Sequence, residues 1–452
     1  MNIIHYLIGL PRVRHGGAPV YAFDLLMSQA AMPHNKVSIL IQGDTLCWGN
    51  KSHIRFSGDC NGLDCYEISN PVVAPLMYGV RKPEYILDGK RYFDQKNLER
   101  FYEKTKPDIF HVHTLMGLPI GLLTYLKSKG TKLVLTSHDY YGICPRVNLI
   151  NRLGNPCETG DGTLCDDCNR YSKNKYWLTF LNSKLFLKYK RKIPIKTSKA
   201  NSECLSSGNM TDLAVNGESK YIELNSFYKR VFALSDAIHF NSFVSKNVFS
   251  QYVTLPYHQV IPITTNAISD RRRRKHFDDT VRISFVGGIG LAKGFPSLKK
   301  VLLELYSEGY KNWVLNIWEG GLGGGDADCS NIVYRGRYSP SQLKKVYDET
   351  DLLLVPSIWK ETFSLVALEA LSFGVPVLMS DNVGAQILIQ DIVPDFIYHG
   401  ENGLRHSLRR IFSDSSLLVE YNTKILESRN INFSQHKHAE DMMEFYQKVV
   451  SL

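Results

Sequence analysis

Residues 351–384 read DLLLVPSIWKETFSLVALEALSFGVPVLMSDNVG. An apolar run of strand length, DLLLVPS, gives way to a segment of helical period through Ala370 and then to a second apolar run, VPVLMS. Strand, helix and strand in that order form a βαβ unit, and continuous rather than alternating apolar runs suit parallel strands covered on both faces. Working back from this stretch, the same pattern begins at Val281: strand VRISFVGG, a helix from Pro296, strands WVLNIW and NIVYRG, and a helix from Pro340. The first half carries a similar series, with strands over Ile3–Ile8, Val37–Ile41, Ile109–His111 and Leu133–Thr136, and helices over Ala18–Ala30 and Leu118–Lys129. Two doubly wound α/β domains in tandem follow. The first is expected over residues 1–262 and the second over 281–430. Residues 263–280, containing RRRRK, are expected as a solvated linker, and a helix over 431–452 is expected to pack back on the first domain.

The chain has 452 residues, enough for two domains each with its own core. Its composition, 44% hydrophobic and 22% charged, excludes disordered, collagen-like and coiled-coil chains. No run approaches the roughly 18–20 apolar residues of a membrane-spanning helix, and MNIIHYLIGLPRVRHGG lacks a basic leader, so a cytoplasmic location is expected. The formal charge is +10. That surplus is local: the ten basic residues of 168–202 have no Asp or Glu among them, which leaves the rest of the chain neutral. Within that insertion KYWLTFLNSKLFLKYKRKIPIK mixes cations with Trp177, Phe180, Leu181, Leu185 and Phe186. Two readings stay open, an amphipathic segment docked on an anionic membrane surface and a solvated face packed on its own domain. No nucleic-acid partner is expected.

In open parallel sheets ligands bind beyond the carboxyl ends of the strands. Gly16 and Gly17 follow the first strand and lead into a helix, where backbone amides can approach an oxygen-rich ligand, although a plain turn has the same appearance. Ser137-His138-Asp139 follows KLVLT, which puts an imidazole at a strand end. Lys293-Gly294 follows VRISFVGG and offers a point charge to a phosphate. After DLLLVPS come Glu361 and Glu369, seven residues between them, roughly 80° apart on a helix so that both can face one crevice. Helix-start amides at Phe363, Ser364 and Leu365 would attract a diphosphate.

ETFSLVALEALSFGVPVLMSDNVG resembles the signature of family 4 glycosyltransferases, and the supporting matches run in family order: the GG loop, PDIFHVH, TSHD, SDAIHFNS, the KG loop, GRYSPSQLKKVYDETDLLLVPS and HGENGL. The resemblance implies the GT-B fold, two Rossmann-like domains facing across a cleft. It implies a retaining hexosyltransferase that uses a nucleoside-diphosphate-sugar without a catalytic metal and acts on a glycan or lipid-linked hydroxyl in surface polysaccharide synthesis, peripheral at the inner face of the membrane. In that reading Glu369 binds the donor ribose and Glu361 the hexose. Lys293 holds the diphosphate, His138 positions sugar and acceptor, and Gly16-Gly17 close over the phosphates. Where the family often has an Arg five residues before the Lys, this chain has Gly288. Arg335 or Arg337 could then supply the second phosphate contact. A non-catalytic nucleotide-sugar-binding or partner-binding protein of the same fold is the competing class. A dinucleotide-dependent dehydrogenase is disfavoured because GGLGGG at 320–325 is not followed by an apolar helix.

Cys144, Cys157, Cys165 and Cys168 lie within 25 residues directly after the TSHD strand. Their spacing leaves a structural zinc site, reduced thiols and a disulfide open, the disulfide least favoured.

Overall fold

The computed structural model describes residues 1–14, 16–46, 51–87, 92–189, 214–318 and 329–452. The chain divides into two compact units. One comprises Met1–Asn241, Ser245–Ile261 and Gln435–Leu452, the other Ser242–Val244 and Pro262–Ser434. Part of the basic insertion, 190–202, and the GGLGGG stretch lie outside the described residues.

The sheet of the first unit is built from β1 (Asn2–Leu7), β2 (Lys36–Gln42), β3 (Lys51–Cys60), β4 (Leu63–Ser69), β5 (Tyr92–Phe93), β6 (Ile109–Val112), β7 (Lys132–Thr136), β8 (Ala237–Phe240) and β9 (Tyr257–Val260). Its order is β5-β3-β4-β2-β1-β6-β7-β8-β9, parallel from β4 to β9. β3, flanked by the two-residue edge strand β5, runs antiparallel to β4 in a hairpin closed by Asn61 and Gly62, both at positive φ. A two-residue Asn-Gly loop of this hand matches the twist of its strands. The buried strands carry histidines in one layer: His5 of β1 lies beside His111 of β6, and Thr136 of β7 beside His239 of β8. The helix Gln435–Ser451 packs on the helix Gly17–Ala30 and covers this layer, with Tyr446 bonded to His111 at 2.6 Å and His438 to Tyr21 at 2.9 Å.

The second sheet comprises β10 (Val281–Val286), β11 (Trp313–Trp318), β12 (Ile332–Tyr334), β13 (Leu352–Val355), β14 (Val377–Ser380) and β15 (Ile397–Tyr398). It is parallel throughout, in the order β12-β11-β10-β13-β14-β15. That is the 3-2-1-4-5-6 order of a doubly wound fold, whose direction reverses between β10 and β13. Asp351, the first residue of the stretch quoted above, is buried and forms a two-point ion pair with Arg282 of β10 at 2.6 and 2.8 Å. The stretch around RRRRK is fastened to this unit: Arg272 donates to the carbonyls of Ile425 and Ser428, and Lys275 to that of Tyr347. These are carbonyls left over at helix ends, natural partners for cations.

Candidate active site

In the second unit the candidate residues gather where the strand order reverses. β10 leads into a loop ending in Lys293 and Gly294, and β13 into a loop carrying Ser357, Trp359 and Glu361. The two loops are joined by their backbones, because the N–H groups of Ile358 and Trp359 both donate to the carbonyl of Ala292. Gly294 makes this approach possible. A Cβ there would lie 1.7 Å from the carbonyl oxygen of Pro356, and its φ of 71° is one that glycine adopts without cost. Lys293 Nζ donates to Glu361 Oε1 at 2.6 Å and stands over the Trp359 ring at 5.6 Å. Ser357 Oγ donates to Glu361 Oε2 at 2.7 Å. Glu361 is thus a buried carboxylate with both oxygens engaged, and its own N–H donates to Asn382.

The helix after this loop runs Leu365–Ser372, starting two residues later than the Phe363 expected from its sequence. Phe363 is committed to the core and its carbonyl accepts from Ala385. Ser364, at φ 135°, turns the chain in a conformation unfavourable to any residue with a Cβ. The leading N–H groups of the helix have no intrahelical acceptor, which fits them for an anion. Glu369 has a separate partner, Tyr347, whose hydroxyl donates to Oε2 at 3.1 Å, and burial raises its pKa. A Cβ at Gly288 meets nothing within 4 Å, so no neighbour fills the position where an Arg is often found. Arg335 is bonded to Asn316 at 2.8 Å.

In the first unit His138 follows β7, and its ring lies edge-on to Tyr21 of the helix that begins at Gly17. Gly16, at φ 134°, precedes that helix. Behind His138 runs a series of imidazoles. His138 Nε2 meets His113 Nδ1 at 3.1 Å, His113 Nε2 meets His5 Nδ1 at 3.0 Å, and His5 Nε2 meets Gln29 Oε1 at 2.9 Å. The amide oxygen can only accept, so His5 donates from Nε2 and accepts at Nδ1. His113 then donates from Nε2, and His138 donates from Nε2. A second series is directed the same way by the Ile261 carbonyl: Tyr446 OH to His111, His111 to Thr136, Thr136 to His239 and His239 to Ile261. Burial holds every one of these rings neutral, with His5 and His138 lowered to about 3 and His239 to about 4. The ring nitrogens of His5, His111 and His113 come within 4.8 Å of one another, a spacing metals also use, and here all three rings are spent on hydrogen bonds. Burial also pushes Asp139, the next residue, up to about 6.

Sequence reasoning singled out His138, Lys293, Glu361 and Glu369 but gave no role to Ser357, Trp359, Gln29 and Asp139. Ser357 and Trp359 stand in the stretch quoted first, where position after a strand end was the available signal. Gln29 carried none.

Of the insertion, helices Lys175–Asn182 and Lys184–Tyr189 are described, with a break at Ser183. Leu178 and Asn182 bury themselves, while Tyr176 and Trp177 are 85% and 54% exposed. No helix among the described residues is long and apolar enough to cross a membrane.

The fold is GT-B. Residues 330–425, about a fifth of the chain and including Glu361 and Glu369, match the family model described as glycosyl transferases group 1. Sucrose-phosphate synthase of Thermosynechococcus elongatus superposes over the full length of both chains with a TM-score of 0.57 at 15% identity. Anabaena HepE, solved with UDP and glucose, superposes over 99% of both chains with a TM-score of 0.54 at 11% identity. At these identities the likeness is one of fold. A protein in the cps region of Klebsiella pneumoniae, uncharacterized, is 30% identical over 164 residues, which span 35% of this chain and 39% of that relative.

Proposed function

We propose that the protein is a retaining glycosyltransferase that moves a hexose from a nucleoside-diphosphate-sugar to a hydroxyl of a glycan or lipid-linked acceptor in surface polysaccharide synthesis. The observation that carries this reading is the Lys293–Glu361–Ser357 cluster at the reversal point of the second sheet, beside the open start of the Leu365–Ser372 helix. An ammonium and a row of amides suit a diphosphate whose negative charge grows as the glycosidic bond breaks. Glu361 suits hexose hydroxyls and Glu369 the ribose. Lys293 is held by Glu361 until a diphosphate draws it away, which frees Glu361 for the sugar. His138 presents a neutral imidazole to sugar and acceptor. No protein nucleophile is assigned, so retention would follow a front-face route in which the leaving phosphate takes the acceptor's proton. The HepE complex with UDP and glucose, and the genomic setting of the Klebsiella relative, favour such a donor and such a product.

The test is nucleoside diphosphate release from a panel of UDP-, GDP- and dTDP-sugars. Wild type should release one diphosphate, and Glu361→Ala and His138→Ala should each slow release by about 10²-fold or more, the scale of losing one charge-stabilising group. Equal release by all three proteins would sink the assignment, and an inverted anomeric proton in the product spectrum would remove retention.

The exposed Tyr176 and Trp177, with the cations around them, favour reversible docking on an anionic leaflet, since each nearby Lys or Arg adds about 1 kcal/mol. Sedimentation with phosphatidylglycerol vesicles should deplete the protein from solution and phosphatidylcholine vesicles should not. Loss of this dependence in Lys173→Glu/Lys188→Glu would tie it to the segment.

A further inference from the structure

We infer that Cys144, Cys157, Cys165 and Cys168 form a structural zinc site that anchors the loop leaving His138. Between the end of β7 at Thr136 and the helix starting at Cys165 the chain runs 28 residues with no helix or named strand. Loops of this length without regular structure need an anchor of their own. All four cysteines line one cavity, which belongs wholly to the first unit, although no three of their sulfurs lie within 4.8 Å of one another, so the ion would have to draw them in. Each reaches the cavity by a different local device. Cys165 and Cys168 stand three apart on the single-turn helix Cys165–Asn169 and so share a face. Cys157 is brought back toward the start of the loop by the bridge between Ile150 and Pro156 and by its own N–H donating to the Leu149 carbonyl at 2.7 Å. Cys144 closes a turn in which its N–H donates to Tyr140 at 2.8 Å.

Backbone N–H groups of Arg146 and Leu149 are directed at the Cys144 sulfur, and that of Arg152 at the Cys168 sulfur. Amides aimed at sulfur stabilise the anion, and four thiolates around one zinc keep a net charge of about −2 that such donors and the side chains of Arg146 and Arg152 offset. The loop also holds Val147 and Leu149 at φ 66° and 54°, a conformation that side chains with a Cβ rarely take unless fixed by their surroundings. All seven described cysteines are free of disulfides. Zinc at about 2.3 Å from each sulfur would draw the four to roughly 3.8 Å from one another, a set of ligands complete without water and so structural rather than catalytic.

The test uses the full chain expressed with zinc in the medium. Elemental analysis should return about one zinc per chain, falling severalfold in Cys165→Ser/Cys168→Ser. Cobalt added under reducing conditions to chelator-treated protein should give the intense near-ultraviolet thiolate-to-cobalt band and the visible bands of a tetrahedral site. Because the serine variant could lose the loop altogether, Cys157→His supplies a second arm: it should keep the metal and weaken the thiolate band. Absence of both zinc and the cobalt bands would overturn the proposal. So would a disulfide among the four cysteines, or a metal bound without thiolate character, which would move it to His5, His111 and His113.

Discussion

The proton on His138 is assigned three hydrogen bonds away, at Gln29. Replacing that amide by leucine leaves a buried His5 Nε2–H without an acceptor, a cost of about 1–3 kcal/mol. It also removes what orders the tautomers. We expect Gln29→Leu to lower thermal stability and to give His138 mixed nitrogen-15 shifts, with turnover falling more than donor affinity. Gln29→Glu, which still accepts, should restore a single tautomer. Gly288 makes the opposite kind of prediction. With open space around its Cβ, Gly288→Arg should change stability by less than about 0.5 kcal/mol and tighten donor binding severalfold if a second cation there reaches the diphosphate. Unchanged donor KM would mean that Lys293 and the helix amides suffice. Of this series only His138 was legible in the sequence, because His5, Gln29 and His113 lie far from it along the chain and meet it only through the fold.

At the scale of elements, the two loops at the reversal point hold each other. Gly294 and Gly288 look alike in sequence, six residues apart, and differ in what surrounds them. Gly294→Ala drives a methyl group into the Pro356 carbonyl and should cost several kcal/mol, displacing Lys293 and abolishing donor binding, whereas Gly288→Ala should melt like wild type. Parallel thermal melts check the pair. The βαβ series was legible because buried parallel strands write themselves as uninterrupted apolar runs. The β3–β4 hairpin was not placed, since the largely exposed β3 has no such run and its signal, Asn61-Gly62, is two residues long. The Leu365–Ser372 helix starts later than expected because Ser364, at φ 135°, holds the chain out of the helical backbone.

Across the whole molecule, the buried histidines tie stability to acidity. His5 and His138 are held to about 3 and His239 to about 4, against about 6.5 in an unfolded chain. Between those values the unfolded chain binds protons that the folded one refuses, so their contribution is complete above about pH 6.5 and is lost as pH falls toward 3. Asp139, pushed up to about 6, works in the other direction, because the folded chain keeps its proton longer and stability declines as pH rises to about 6. Urea midpoints should therefore fall between pH 7 and pH 5. Asp139→Asn should raise the midpoint at pH 7, by up to about 3 kcal/mol in stability, and leave it unchanged near pH 4. A flat profile from pH 7 to 5 would show that the rings titrate as if exposed.

The helix Gln435–Ser451 sets a timetable for synthesis. It completes the first unit, yet 173 residues of the second, Pro262–Ser434, are translated before it. At about 5–20 residues per second a ribosome needs roughly 10–35 s to make them. Throughout that interval His111 has no Tyr446 and Tyr21 has no His438, so the histidine layer lacks the helix that covers it. The second unit, contiguous apart from three residues, is then the first to mature, and a nascent chain halted before Gln435 should present a folded second unit beside an uncovered, protease-sensitive first.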